Sequence, residues 1–340
     1  MKNSPESTPV SRRQFMRNVA QGAVLVGVGV YASKAASAAD RNPFAYDVSR
    51  FSKTDPKLIA WEEVSRRTCP VKAALRLAIG PDDCVHVAAG NQIVRWNAAG
   101  DRPNLDLGAP VRCAAVAPDG TLFVGLTDRI AIFDVAGKRQ VDWPSPGPKT
   151  WFTGLAVTER EVLAADSGQR LVWRFDRSGR TLGRIGNRDS ARGVPGLILP
   201  SPFLDVRLHP DGLLRLNNTG RHRIEAYTIA GDFEHAWGEA SAAIAGFCGC
   251  CNPIGLAILP DGRTVTGEKG LPRVKVYRTD GTLESVVAGT ETFADNVGQC
   301  ANPADCTRGG LDAAVDSHGR IHILDRVTGE VRIMQPKAPA

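Results

Sequence analysis

Five of the eight cysteines in this 340-residue chain fall in two short loops: Cys248, Cys250 and Cys251 in FCGCCNP, and Cys300 and Cys306 in CANPADC. Cys248-x2-Cys251 together with Cys300-x5-Cys306 makes a four-thiolate set. Four thiolates suit a structural zinc or an iron–sulfur cluster of the two-iron or four-iron kind. Cys250 is then a spare, or stands in for one of its neighbours. In an oxidising compartment the same residues would form disulfides instead, two bridges between the loops with one thiol left over. Vicinal Cys250 and Cys251 would bridge each other only with strain. Either chemistry requires the two loops to converge. Cys69, just before Pro70, could partner the odd loop cysteine, whereas Cys84 and Cys113 lie in apolar strands and read as small buried hydrophobes.

What positions these loops is a repeat. Six segments share one grammar: an apolar strand, a Pro-Asp-Gly-like turn, a second strand, a polar loop and a third strand ending in a large apolar residue. They begin at Leu75, Cys113, Gly154, Leu204, Gly255 and Leu311. Asp-Gly at 119–120, 211–212 and 261–262, and His318-Gly319 in the sixth copy, supply the positive φ that tight hairpins require. Arg273-Val274-Lys275-Val276-Tyr277 and Arg223-Ile224-Glu225-Ala226-Tyr227 alternate with period two, the mark of strands. Most copies add a turn such as Thr279-Asp280-Gly281 and a fourth strand such as Leu283–Val287. Four short antiparallel strands repeated six times predict an all-β, six-bladed β-propeller, which hides most strand edges. The sixth copy stops at Pro336 after three strands, and the orphan strand Lys57–Val64 is expected to close it. The two cysteine loops flank blade five, which is why they should meet.

The repeats resemble the NHL family of propellers, best in the third copy, Ala165-Asp166-Ser167-Gly168-Gln169-Arg170-Leu171-Val172-Trp173-Arg174-Phe175. The first, second and sixth copies depart from the family's polar loop. Cys250-Cys251-Asn252-Pro253, followed by Glu268-Lys269-Gly270-Leu271-Pro272-Arg273-Val274-Lys275-Val276-Tyr277, is similar to an exported subgroup of that family. The resemblance implies the fold and carries no activity with it. Six-bladed enzymes such as gluconolactonase-like lactonases and peptidyl-amidoglycolate lyases place metal ligands in the central channel. Here the loops nearest the channel offer Asp166, Asn217, Asn218, Glu268 and Asp325, an oxygen set suited to calcium. The alternative is that these are the polar strand ends any propeller channel carries. The six histidines show no zinc-ligand spacing, and there is no nucleophile elbow, phosphate loop or dinucleotide fingerprint.

The N-terminus reads as an address. Ser11-Arg12-Arg13-Gln14-Phe15-Met16, a weakly apolar run from Val19 to Ala32 and Ala36-Ser37-Ala38 match a twin-arginine signal peptide over residues 1–38. The apolar run is too short to span a bilayer. Lys2, Arg12, Arg13, Arg17 and Lys34 against Glu6 account for +4 of the formal net charge of +6. The remaining basic residues are scattered among acids, which argues against a nucleic-acid partner. The expected organisation is a signal peptide (1–38), an N-terminal segment with the closing strand (39–73) and the propeller repeats (74–337).

The expectation from these features is a periplasmic protein, exported by the twin-arginine translocon, that acts as a binding or scaffold module for another periplasmic or membrane-complex protein. The absence of a catalytic constellation favours that reading. Two alternatives stay open: a redox protein carrying an iron–sulfur cluster, loaded before folded-state export, and a metal-dependent lactonase- or lyase-like enzyme using the channel.

Overall fold

A computed structural model of the chain describes residues 49–297, 307 and 309–338. The first strand, β1 (Trp61–Thr68), is set apart from the rest. Blade one follows as β2 (Ala74–Ile79), β3 (Val85–Ala89), β4 (Gln92–Asn97) and β5 (Gly100–Asp106). Blade two is β6 (Cys113–Val116), β7 (Leu122–Gly125), β8 (Ile130–Phe133) and β9 (Arg139–Trp143). Blade three is β10 (Phe152–Val157), β11 (Glu161–Asp166), β12 (Leu171–Asp176) and β13 (Thr181–Ile185). Blade four is β14 (Val206–Leu208), β15 (Leu214–Asn218), β16 (Arg223–Tyr227) and β17 (Phe233–Trp237). Blade five is β18 (Gly255–Ile258), β19 (Thr264–Gly267), β20 (Val274–Tyr277) and β21 (Leu283–Ala288), and blade six has β22 (Leu311–Val315), β23 (Ile321–Asp325) and β24 (Glu330–Pro336). Each blade is a four-stranded antiparallel sheet, and β1 completes the sixth in the order β1-β24-β23-β22.

The Asp-Gly turns do what their residue types dictate. In blade two Ala117 O accepts from Gly120 N at 2.9 Å, Gly120 takes φ +80°, and Asp119 Oδ1 accepts from Thr121 N. Only glycine occupies such a φ without strain.

Closure comes from the N-terminal segment, four residues later than expected. Asp55 and Pro56 start a 3-10 turn over Pro56–Leu58, with Asp55 Oδ1 accepting from Lys57 N, so Lys57 and Leu58 are not in the strand. The strand runs Trp61–Thr68, pairing Trp61 with Pro336 and Thr68 with Glu330 across a bulge near Val64. It is the outermost strand and mostly exposed, so its sequence lacks the alternation that would have fixed its bounds. Trp61 is its anchor, buried and donating Nε1–H to Ser285 Oγ of blade five. Arg332 and Glu63 add an ion pair at 2.8 Å.

The core is distributed between blades. Phe123, Ile130 and Trp143 of blade two pack on Phe152, Trp173 and Phe175 of blade three. Leu77, Val87 and Trp96 of blade one meet Ala314, Leu324 and Val331 of blade six across the closure. Between blades four and five the contact is aromatic, Trp237 against Tyr277 with centroids 4.7 Å apart. Each blade therefore relies on its two neighbours, and the ring on being closed.

Candidate functional site

The innermost strands β2, β6, β10, β14, β18 and β22 run side by side along the axis. Aligning the six copies on their turns puts six residues at one level: Arg76, Cys113, Gly154, Asp205, Gly255 and Asp312. Two residues further on, the level is Ala78, Ala115, Ala156, Arg207, Ala257 and Ala314. The first level is a charge hub. Arg76 leaves blade one and crosses the axis: Nε donates to Thr153 O at 2.9 Å, and Nη1 donates to Asp312 Oδ1 at 2.7 Å, Ile254 O at 3.2 Å and Asp205 Oδ2 at 3.3 Å. It thereby touches blades three, four, five and six. The glycines make this possible, since a Cβ at Gly154 would stand 2.7 Å from Asp205 Oδ1 and one at Gly255 would stand 2.7 Å from Leu311 O. Burial opposes the Arg76 charge, but Asp312 and Asp205 outweigh it and hold the guanidinium above its ordinary value. Burial likewise pushes the Asp205 carboxyl up, against the pull of Arg207 and Arg76. Arg207 supplies the second cation, pairing with Asp205 at 3.1 Å and donating to Leu256 O and Leu155 O. Two arginines and two aspartates thus balance, with the hydrogen bonds a buried ion cluster needs.

The hub divides the channel into two mouths. Past Arg207 lies a cavity of about 230 Å3 walled by Ala78, Ala115, Ala156, Val157, Ile258 and Val315. On the other side of Arg76 lies a cavity of about 350 Å3 lined by Arg76, Arg112, Trp151, Thr153, Phe203 and Arg326. There the Arg112 guanidinium sits 4.2 Å from the Trp151 ring centre, and Arg326 sits 4.7 Å from that of Phe203. Lys269 reaches the same Phe203 ring at 4.8 Å. Burial, with the Arg76 and Arg112 cations alongside, lowers Arg326 to about 9, Asp312 offsetting only part of it. Cys113, buried at the level of Arg76, is poorly placed as a nucleophile: burial pushes its thiol up to about 12.

The expected calcium set is not brought together. Asp166 Oδ1 accepts from Trp151 N and Gln169 N, and its Oδ2 accepts from Trp173 Nε1 and Gln169 Nε2. Asn217 accepts from Asp205 N and donates to Pro253 O; Asn218 accepts from Ile198 N and donates to Glu225 Oε1. Glu268 pairs with Arg273 at 2.7 Å and Lys275 at 2.8 Å, and Asp325 accepts from Asn296 Nδ2 and Val327 N. Each lies at or next to the end of the second strand of its own blade and is engaged by neighbours of its own, with no shared oxygen cage among the described residues. Among the described residues no group of three or more His, Cys, Asp or Glu could hold a metal ion. Two of these residues nevertheless serve the axis: Asp166 holds the backbone of Trp151, and Asn217 that of Asp205.

Of the thiol loops, Cys300 and Cys306 lie outside the described residues, so their convergence on Cys248 and Cys251 belongs to the proposals below. Cys251 is fully buried, Cys248 half-buried and Cys250 exposed. The Cys250 and Cys251 sulfurs are 3.4 Å apart, well beyond a bonded pair. Asn252 secures the loop by donating to Cys248 O and Lys269 O and accepting from Lys269 N. The alternating strand Arg273-Val274-Lys275-Val276-Tyr277 holds the chain just before it. Arg273 donates to Ala242 O and Gly246 O, Lys275 to Ile244 O and Gly246 O, and Tyr277 to Ala245 O. Burial, only partly offset by Glu268, lowers Lys275 to about 8.

Sequence reading had singled out neither Arg76, Arg112 nor Arg326. The signal lies across the copies: a charge in a six-residue apolar strand, facing two aspartates at the same level of two other copies, and one arginine among five alanines.

No protein-family model matches the chain, and no curated protein matches it. Solved structures do. A streptogramin B lyase superposes with a TM-score of 0.55 at 12% identity, covering 82% of this chain and 97% of the lyase. Virginiamycin B lyase from Staphylococcus aureus gives 0.56 at 12% identity, over 82% of this chain and 100% of the other. A catalytically inactive form of that lyase, with quinupristin, gives 0.55 at 12% identity over the same shares. At this identity the likeness shows the fold, a six-bladed β-propeller of four-stranded antiparallel blades.

Proposed function

We propose that this chain is an exported, NHL-type propeller that works in the periplasm as a binding module, taking its ligand or partner at the Arg112–Trp151–Phe203–Arg326 mouth. The observation that carries this is the Arg76 hub, which closes the channel in depth and leaves a blind recess with cations and aromatic rings at its rim. A recess built this way recognises; it does not conduct. The carboxylates a lyase- or lactonase-like mechanism would need for a metal are taken up by hydrogen bonds to their own blades, which weighs for binding over metal-dependent chemistry. The test is to offer the purified protein a streptogramin B antibiotic and simple lactones with magnesium or calcium. Unchanged substrates support the binding module, and chelator-sensitive turnover overturns it.

The iron–sulfur reading rests on Cys248 and Cys251 being anchored beside blade five by Asn252 and by the buried cations Arg273 and Lys275. An absorption spectrum after anaerobic purification separates a cluster from disulfides. Export is tested by changing Arg12 and Arg13 to Lys, which should retain the protein in the cytoplasm.

A further inference from the structure

Three arginines line the larger mouth, and each has a buried nitrogen with no partner among the described residues. Arg76 is 7% exposed, and its Nη1 is committed to the hub, but Nη2 has no hydrogen-bond acceptor among the described residues. Nε of Arg112 and Nε of Arg326 are equally buried and equally unmatched. Leaving a buried charged donor unmatched is costly, and three arginines lining one recess with no carboxylate among them call for a common anion. No carboxylate among the described residues lies within ion-pair distance of Arg112 or Arg326, whose contacts are the rings of Trp151 and Phe203 and, for Arg326, Gly309 O at 3.4 Å. The aspartates of the hub are already engaged, Asp205 with Arg76 and Arg207 and Asp312 with Arg76 and Leu77 N.

We infer that this mouth binds a small organic carboxylate. Its charged end would lie on Arg76, Arg112 and Arg326, and its apolar or aromatic body against the exposed part of Trp151. This rests on the binding-module reading and names its ligand class. The cavity, about 350 Å3, falls within the range of roughly 300–1,000 Å3 usual for ligand pockets. A planar carboxylate fits the edges of guanidinium groups, each offering nitrogens in a fixed plane. The exposed part of Trp151 argues for an organic acid over inorganic phosphate, since it gives an apolar body a surface to pack on. Burial first, and then the Arg76 and Arg112 cations, oppose the charge of Arg326, and an anion between the three would offset both.

Isothermal titration of the mature protein with benzoate, benzamide, benzylamine and inorganic phosphate tests this. Benzoate should bind saturably, and the other three much more weakly or not at all. Arg112→Gln and Arg326→Gln should each weaken benzoate by roughly tenfold or more, the effect of losing a charge-assisted hydrogen bond. Thermal unfolding of both variants without ligand checks that they fold. Absence of saturable benzoate binding, phosphate binding as tight as benzoate, or unchanged affinity in two folded variants would overturn the inference. Benzamide binding as well as benzoate would overturn it too, while leaving the binding module intact. Turnover of a probe would overturn the binding module instead.

Discussion

The two mouths of the channel are built from the same six strands and differ in one respect. At the Arg207 end the copies agree: alanine at five of six places in one level, and Ile79, Val116, Val157, Leu208, Ile258 and Val315 in the next. At the Arg76 end they disagree, with arginine, cysteine, glycine and aspartate at one level and Arg112, Trp151 and Phe203 around the rim. Agreement is what packing around an axis asks of every blade. Disagreement at equivalent positions, where sterics are alike, marks the end at which individual side chains have separate tasks.

The largest expected effect comes from breaking the unlike end. Arg76→Met leaves Asp205 and Asp312 buried without their shared cation and should cost about 3–5 kcal/mol. Urea unfolding measures it, and adding Asp205→Asn with Asp312→Asn should recover much of the loss. If Arg76→Met alone is neutral, the hub does not hold the ring.

The cleft between blades one and two has a titration of its own. His86, on β3 beside Ala78, is held down to about 4, mainly by burial and with Arg95 and Arg102 nearby, against the opposing pull of its contact with Cys84 O. Its folded value lies below the unfolded one, near 6.5, so the native state stays neutral while the unfolded chain takes up a proton. Stability is unaffected above pH 6.5 and falls as pH drops from 6.5 to 4, by up to about 3 kcal/mol from this group. His86→Gln should remove that part of the slope in unfolding curves recorded across this range, and an unchanged slope would exclude His86 as its source.

A smaller effect tests the agreement itself. Ala257→Leu, at the level of five alanines, should cost about 1–3 kcal/mol by overpacking. It should leave benzoate affinity at the other mouth unaltered, since the Arg76 layer lies between. A large change in affinity would mean that the hub does not separate the mouths.

The fold was legible because the repeat repeats: turns, alternation and strand lengths recur in every copy. The closing strand was misplaced by four residues because an exposed outer strand carries no apolar alternation, and only Asp55-Pro56 marks where the turn before it begins. At the site, polar residues near the ends of the second strands were visible, but the hydrogen bonds that engage them were not. Asp166, Asn217 and Asp325 fasten backbone donors, work that local sequence does not distinguish from metal ligation. Arg76 was missed for the opposite reason: its meaning depends on Asp205 and Asp312, more than a hundred residues away, and emerges only when the copies are laid side by side.

The central claim, that the unlike mouth is the working end, is tested most directly by following the arginine side-chain Nε–H signals of nitrogen-labelled protein by NMR during a benzoate titration. The account predicts that the signals of Arg112 and Arg326, each assigned by its Gln variant, shift together and saturate, while that of Arg207, held by Leu256 O, stays in place. A saturable shift of Arg207 with Arg112 and Arg326 unmoved would put the binding site at the other end of the channel and contradict it.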